Sequence, residues 1–421
     1  MARRRERRRD FGEFRTGWRP VLAALLGTAT GMPAAPFYTI GIFAPVFAKE
    51  FGWPFASIFA GLALLSLAML FAGPLAGMLI DRFGTRLLSS GSLVCLGLSY
   101  MTLALSNGSL GQYYLSWAAI AVLGLGATPA AFTRAINGAF VERRGLALGI
   151  ALSGSGLVAF VAKPLAQLLI DAAGWRVAIT AIGAMPLLAA PVVFWGLANA
   201  RANSVGAPVG AARSAPEGMT AGEAFRSRPF WLLAAVFVPM SLAVAAPLPH
   251  VENILRSLRL APAEVVQLAS IVGVAIVLGR VLGGLLIDRF WAPAVGGAIL
   301  TAGAIACFIL SLDAVGFAPA FAAIFLLGLS AGIEFDLMAY LVARYLGMRS
   351  YATTYAVLYG VFAIGAGFGP SLFGHVFDRT GTYSGILAAG ALMLAAAAAA
   401  ILCLGPYPSR RSPTSAGIQA N

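Results

Sequence analysis

Long apolar runs, interrupted at near-regular intervals by short polar breaks, fill almost the whole chain. A helix rising 1.5 Å per residue needs ~20 mostly apolar residues to cross ~30 Å of hydrocarbon. Twelve runs of that kind can be read, near residues 21–47, 55–80, 87–106, 112–140, 146–170, 176–198, 230–250, 264–287, 293–312, 318–343, 352–376 and 383–404. The pattern predicts an all-α membrane protein with twelve transmembrane helices. The longest polar stretch, about 199–228, is rich in Ala, Gly, Ser and Pro and lies near the middle. It is expected to link two six-helix bundles, 21–198 and 229–404, flanked by tails 1–20 and 405–421.

Composition agrees. Of 421 residues, 60% are hydrophobic and 11% charged, whereas soluble domains carry about 25% charged residues. Lipid is therefore the expected solvent for most of the surface. The net charge of +13 resembles a nucleic-acid signal, but eight of the 29 basic residues fall within the first nineteen positions. The others are scattered between apolar runs and form no face for phosphates, so no nucleic-acid partner is expected.

Charge also sets an orientation. Alternating the breaks between two sides puts 21 basic residues on the side of the termini and five on the other. The positive-inside rule then predicts that both termini are cytoplasmic, in a bacterial inner membrane. No P-loop, zinc-ligand or nucleophile pattern occurs, so neither an enzyme nor a cofactor is expected.

An internal repeat divides the chain as the linker does. Gly77-Met-Leu-Ile-Asp81-Arg82-Phe83 at the end of span 2 returns as Gly284-Leu-Leu-Ile-Asp288-Arg289-Phe290 at the end of span 8, 207 residues later. Repeated halves of this kind place a substrate site at their interface near mid-membrane.

Charges inside spans are costly, about 2.5–3.5 kcal/mol or more each, and need reasons. Arg280 of span 8 lies eight residues before Asp288, and its repeat partner is Gly73. A scaffold requirement would appear in both halves, so a one-sided guanidinium suggests a ligand, namely a carboxylate held by two parallel hydrogen bonds. The alternative is an internal ion pair with Glu334 or Asp336. Lys163 of span 5 is a second candidate for substrate contact, against a snorkelling role. Tyr38, beside Pro33 and Pro36, is a third, against plain packing. Glu334 and Asp336 of span 10 and Arg134 of span 4 are candidates for proton coupling or for a gate. Asp336 is expected to pair with Arg344 or Arg134, leaving Glu334 as the better proton carrier. Asp81, Arg82, Arg86, Asp288, Arg289 and Arg344 are expected to form a conformational gate at span ends, through ion pairs and helix-end contacts.

The run Gly73-Pro-Leu-Ala-Gly77-Met-Leu-Ile-Asp81-Arg82-Phe-Gly84-Thr-Arg86 resembles the loop signature of the major facilitator superfamily. Three stretches are similar to bacterial relatives of monocarboxylate porters and oxalate/formate exchangers. They are Tyr38-x-x-Gly41-x-Phe43-x-Pro45, Phe140-x-x-Arg143-Arg144-Gly145-Leu146-Ala147, and Glu334-x-Asp336-Leu337-x-x-Tyr340-Leu341-x-x-Arg344-Tyr345. The resemblance implies a cavity lined by spans 4 and 10, with spans 5 and 8 as neighbours, and it matches Arg280 to the span-8 arginine of both porter groups. The monocarboxylate signature has an acid early in span 1, where none lies between Glu13 and Glu50; the exchangers have a span-11 lysine that this chain lacks.

The expected function is secondary transport of a small organic anion, a monocarboxylate, by alternating access, with protons or a counter-anion as the coupled species. The expected state is a monomer in the bilayer. Proton-driven efflux of drugs or metabolites is the alternative, and a non-transporting membrane sensor a more distant one.

Overall fold

The computed structural model describes residues 12–32, 34–198 and 217–408. Helices traverse the molecule twelve times. They are α1 (Gly12–Thr30, Ala34–Phe51), α2 (Phe55–Phe71, Gly73–Phe83), α3 (Thr85–Met101), α4 (Leu110–Leu123, Pro129–Ala139), α5 (Arg144–Leu152, Gly154–Ala173) and α6 (Trp175–Gly196). The second half comprises α7 (Arg228–Met240, Val251–Ser257), α8 (Pro262–Arg289), α9 (Ala292–Leu310), α10 (Phe317–Leu341), α11 (Tyr351–Thr380) and α12 (Ser384–Leu402). Among the described residues, ten helices are long and apolar enough to cross a bilayer, and the two pieces of α2, bent by 53°, make an eleventh. The remaining traverse, α5, is broken at Ser153 and carries a shorter apolar run. Most of the expected linker, residues 199–216, and the ends 1–11 and 409–421 lie outside the described residues.

Two departures from the apolar pattern have physical causes. The first helix begins at Gly12, well before the apolar run at 21, because its polar first turn packs on protein instead of lipid. Phe14 lies 4.9 Å from the Phe140 ring. The Glu13 carboxylate accepts hydrogen bonds from the backbone N–H groups of Val141 and Arg143, each at 3.1 Å. In α7, Pro239 and Pro247 bracket a wide turn at Ser241–Ala245, where the Ala246 N–H reaches back to the Ser241 carbonyl at 3.1 Å. Proline lacks an N–H and unseats the ladder beneath it.

The halves meet along two seams, α2 against α11 and the first segment of α5 against α8. No hydrophobic force drives helices together in lipid, so small residues allow backbone contact there. A Cβ on Gly77 would fall 2.6 Å from the Ala352 carbonyl oxygen and 2.7 Å from the Thr353 Cα. In the other seam Gly284 lies directly against the Gly145 backbone, and a Cβ on Gly149 would meet the Arg280 carbonyl at 2.5 Å. Gly77 and Gly284, like Gly145 and Ala352, are 207 residues apart, so the two seams are copies of one contact.

Gly77→Val should therefore push α2 off α11 at an overpacking cost of about 1–3 kcal/mol. The expected result is a lower melting temperature of the detergent-purified protein. An unchanged melting temperature would show that the seam is looser than the backbone contact implies.

Candidate functional site

At the end of the bundle where α1 starts and α12 finishes, α5 and α11 begin without caps of their own. Neither Arg143 nor Ser350, the residues before these helices, caps them with its side chain. A helix start exposes unpaired N–H groups and a partial positive charge. Here the opposite half supplies the acceptor. Asp81, at the end of α2, accepts from the Ala352 N–H at 3.1 Å, the Thr353 N–H at 3.0 Å and the Thr353 hydroxyl at 2.8 Å. Asp288, at the end of α8, accepts from the Gly145 N–H at 2.6 Å and the Leu146 N–H at 2.9 Å. The aspartates and their backbone donors recur at the 207-residue offset, whereas the Thr353 hydroxyl has Leu146 as its counterpart.

One latch is reinforced. Arg134 of α4 donates from Nε to Asp81 at 2.9 Å. The Tyr351 hydroxyl, at the start of α11, donates to the Thr133 hydroxyl at 2.9 Å and accepts from the Asn137 amide at 3.0 Å. Arg134 thus belongs with the span ends, away from Asp336. The other expected gate residues do not bridge the halves in this way. Arg82 and Arg289 lie exposed over Phe83 and Phe290. Arg86 donates to the Phe194 carbonyl at 2.9 Å, inside its own half. Arg344 stacks on Tyr340 and Tyr407, at 5.5 and 4.9 Å.

The second cluster is buried between α8, α10 and α11. Arg280 is 4% exposed, and its Nη1 stands 4.0 Å from Oδ1 of the fully buried Asp336. The expected partners of Asp336, Arg344 and Arg134, are therefore replaced by Arg280, because α8 packs lengthwise on α10 and brings the two side chains level. At 4.0 Å the pair attracts without hydrogen bonding. Nε and Nη1 of Arg280 and both Asp336 carboxylate oxygens have no hydrogen-bond partner among the described residues. Glu334, also buried, has an orphaned Oε2 and feels the Arg280 charge as Asp336 does. One guanidinium serves as electrostatic neighbour to both acids. Phe335, between them in sequence, lies 5.9 Å beneath the guanidinium.

Tyr38 and Lys163 sit on α1 and α5, but their side chains lie outside the described residues. Two members of the site escaped the sequence reading. Tyr351 and Tyr355 were hidden in an apolar helix, and their spacing of four, repeated at Tyr359, was the available signal.

Comparison with known proteins agrees with this geometry. The family model described as Major Facilitator Superfamily matches residues 21–370. Bovine monocarboxylate transporter 13 is 27% identical over 90% of this chain and 87% of its own length. The Escherichia coli protein YhjX, described as an uncharacterized MFS-type transporter, is 26% identical over 84% of this chain and 86% of its own. Among solved structures, the Escherichia coli transporter FucP in its outward conformation superposes with a TM-score of 0.68 at 16% identity, covering 92% of this chain and 98% of FucP. The human organic anion transporter MFSD10 gives 0.67 at 14% identity, over 91% of this chain and 99% of that one. At these identities the structures speak for the fold alone.

Asp81→Asn and Asp288→Asn should each weaken charge-assisted bonds to a helix start, by about 1–2 kcal/mol, or roughly five- to thirty-fold in population. With the three native cysteines replaced by serine and a cysteine placed at Ala339, the expected readout is faster maleimide labelling in either variant. Labelling at the parent rate in both would mean the aspartates do not hold this end closed.

Proposed function

This chain belongs to the major facilitator superfamily, and we propose that it carries a small monocarboxylate across the bacterial inner membrane by alternating access, together with a proton. The observation that carries the reading is the Arg280 guanidinium, buried between the helices, with Nε and Nη1 lacking hydrogen-bond partners among the described residues and Nη1 4.0 Å from Asp336. Buried charged donors without hydrogen-bond acceptors are rare and costly, so such donors suit a ligand that arrives and leaves. The guanidinium fork matches a carboxylate in geometry and charge. The relatives named as monocarboxylate transporters support the same substrate class.

Charge arithmetic supports the proton. Arg280 offers one positive charge to two acids, Glu334 and Asp336. An incoming carboxylate would raise the negative excess in a poorly solvated place. A proton on either acid restores the balance and releases the guanidinium for the cargo. Exchange against another anion would meet the same requirement without a net proton. A dicarboxylate would bring its second charge against the same two acids, which favours monoanions.

The 21 basic residues on the side of the termini support a cytoplasmic location for the end where Asp81 and Asp288 meet the opposite half. Breaking that latch and closing the far end would then expose the Arg280 cluster to the cytoplasm.

Uptake into proteoliposomes with a panel of small monocarboxylates tests the reading. Arg280→Ala should abolish uptake, and Arg280→Lys should lose about ten- to a hundred-fold, since a point charge cannot replace the fork. Unchanged monocarboxylate transport by correctly inserted Arg280→Ala protein would end the anion assignment. Asp336→Asn should flatten the dependence of uptake on an imposed pH gradient. A gradient response equal to the parent's in both Asp336→Asn and Glu334→Gln would leave protons uncoupled and favour exchange.

A further inference from the structure

Tyr355 lies one turn into α11 with no exposed surface, and its hydroxyl has no hydrogen-bond partner among the described residues. A buried phenol nearly always finds one, because an unmade bond costs about 1–3 kcal/mol. One turn earlier, Tyr351 makes such bonds, to Thr133 and from Asn137. The orphaned hydroxyl of Tyr355 instead has Asp336 and Arg280 as its charged neighbours.

Its ring is not free to turn aside. It stacks on Tyr351 at 5.8 Å and 28° and on Tyr359 at 6.0 Å and 24°. Tyr359 is in turn held edge-on by Phe335 at 5.3 Å and 72°. The ladder fixes where the hydroxyl points, as a preorganised donor requires. Arg280 and Asp336, 4.0 Å apart, and Tyr355 thus carry donors and acceptors without hydrogen-bond partners among the described residues, and Phe335 packs against both Arg280 and Tyr359 of the ladder.

We infer that Tyr355 is a second binding residue of the anion site, donating its phenolic hydrogen to the cargo carboxylate beside the Arg280 guanidinium. This rests on the monocarboxylate reading above. A carboxylate presents about four lone-pair positions on two oxygens. Nε and Nη1 of the guanidinium supply donors without hydrogen-bond partners among the described residues, and the phenol supplies a further one from the neighbouring helix. Arg280 rides on α8, which touches α5, and Tyr355 rides on α11, which touches α2. A cargo held by both ties together the two helices through which the C-terminal half meets the other half.

Tyr355→Phe removes the oxygen and keeps the ladder, so packing and binding can be read separately. The ligand-free melting temperature should be unchanged or higher, because the lost hydroxyl had no partner. Affinity for lactate and pyruvate, followed by calorimetry on the purified full chain, should fall about tenfold or more. Parent affinity in Tyr355→Phe, with binding abolished in Arg280→Ala, would overturn the role of Tyr355 and leave the anion reading standing. A lower ligand-free melting temperature would also overturn it, since the hydroxyl would then be a structural bond. Absence of any monocarboxylate binding by the parent protein would bring down both.

Discussion

The starts of α5 and α11 hold unpaired backbone N–H groups that their own flanking residues do not cap, and this constrains the rest of the structure. Inside a membrane protein such groups must be paired, because no bulk water replaces the missing acceptor. Asp81 and Asp288 supply it from the opposite half. Each half is thus incomplete at one helix end without the other, and the same bond is made twice under the pseudo-symmetry. Glycines at 77, 145 and 284 matter because helix starts and aspartates meet only if the backbones touch. A contact built on a few charge-assisted bonds and close backbone packing, with little apolar area to win from lipid, is held firmly yet releases as a unit.

The two copies are unequal, and the inequality follows the chemistry. Asp81 has Arg134 and the Thr353 hydroxyl as further partners, while Asp288 has two amides. In return, α8 carries Arg280 where α2 carries Gly73. The half-interface with the plainer latch holds the buried guanidinium, and that with the reinforced latch has only backbone contact at the equivalent depth. Symmetry serves the scaffold, and its breach at Arg280 is one ground for the ligand site proposed there.

Much of this was legible before any coordinates. The helix number, the repeat and the membrane class follow from apolar run length and from one motif occurring twice, because hydrocarbon thickness leaves little choice. Arg280 stood out because its repeat partner is glycine. Of the partners weighed for Asp336, the structure shows Arg280 and not Arg344 or Arg134, since spacing along α10 gives its face but not which neighbour lies at the same depth. The start of α1 was missed because hydropathy reports burial in lipid, whereas Glu13 is half-buried and bonds to the loop at 141–143. Tyr355 was invisible for a related reason. A tyrosine in an apolar helix reads as packing, and only the three-dimensional structure shows its hydroxyl without a hydrogen-bond partner among the described residues.

The latch and the buried cluster lie on the same rigid elements. On α8, Arg280 and Asp288 are eight residues apart, about two turns. On α11, Thr353 donates to Asp81 and Tyr355 follows two residues later. A helix transmits displacement along its axis with little loss, so a shift of either cluster is felt at the other. Under the proposed function, neutralising the excess charge around Arg280 changes what those helices gain by staying where they are, and the aspartate latches are the bonds that yield when they move. Coupling between cargo and gate then needs no relay of side chains across the protein, because each of the two helices bears one part of both.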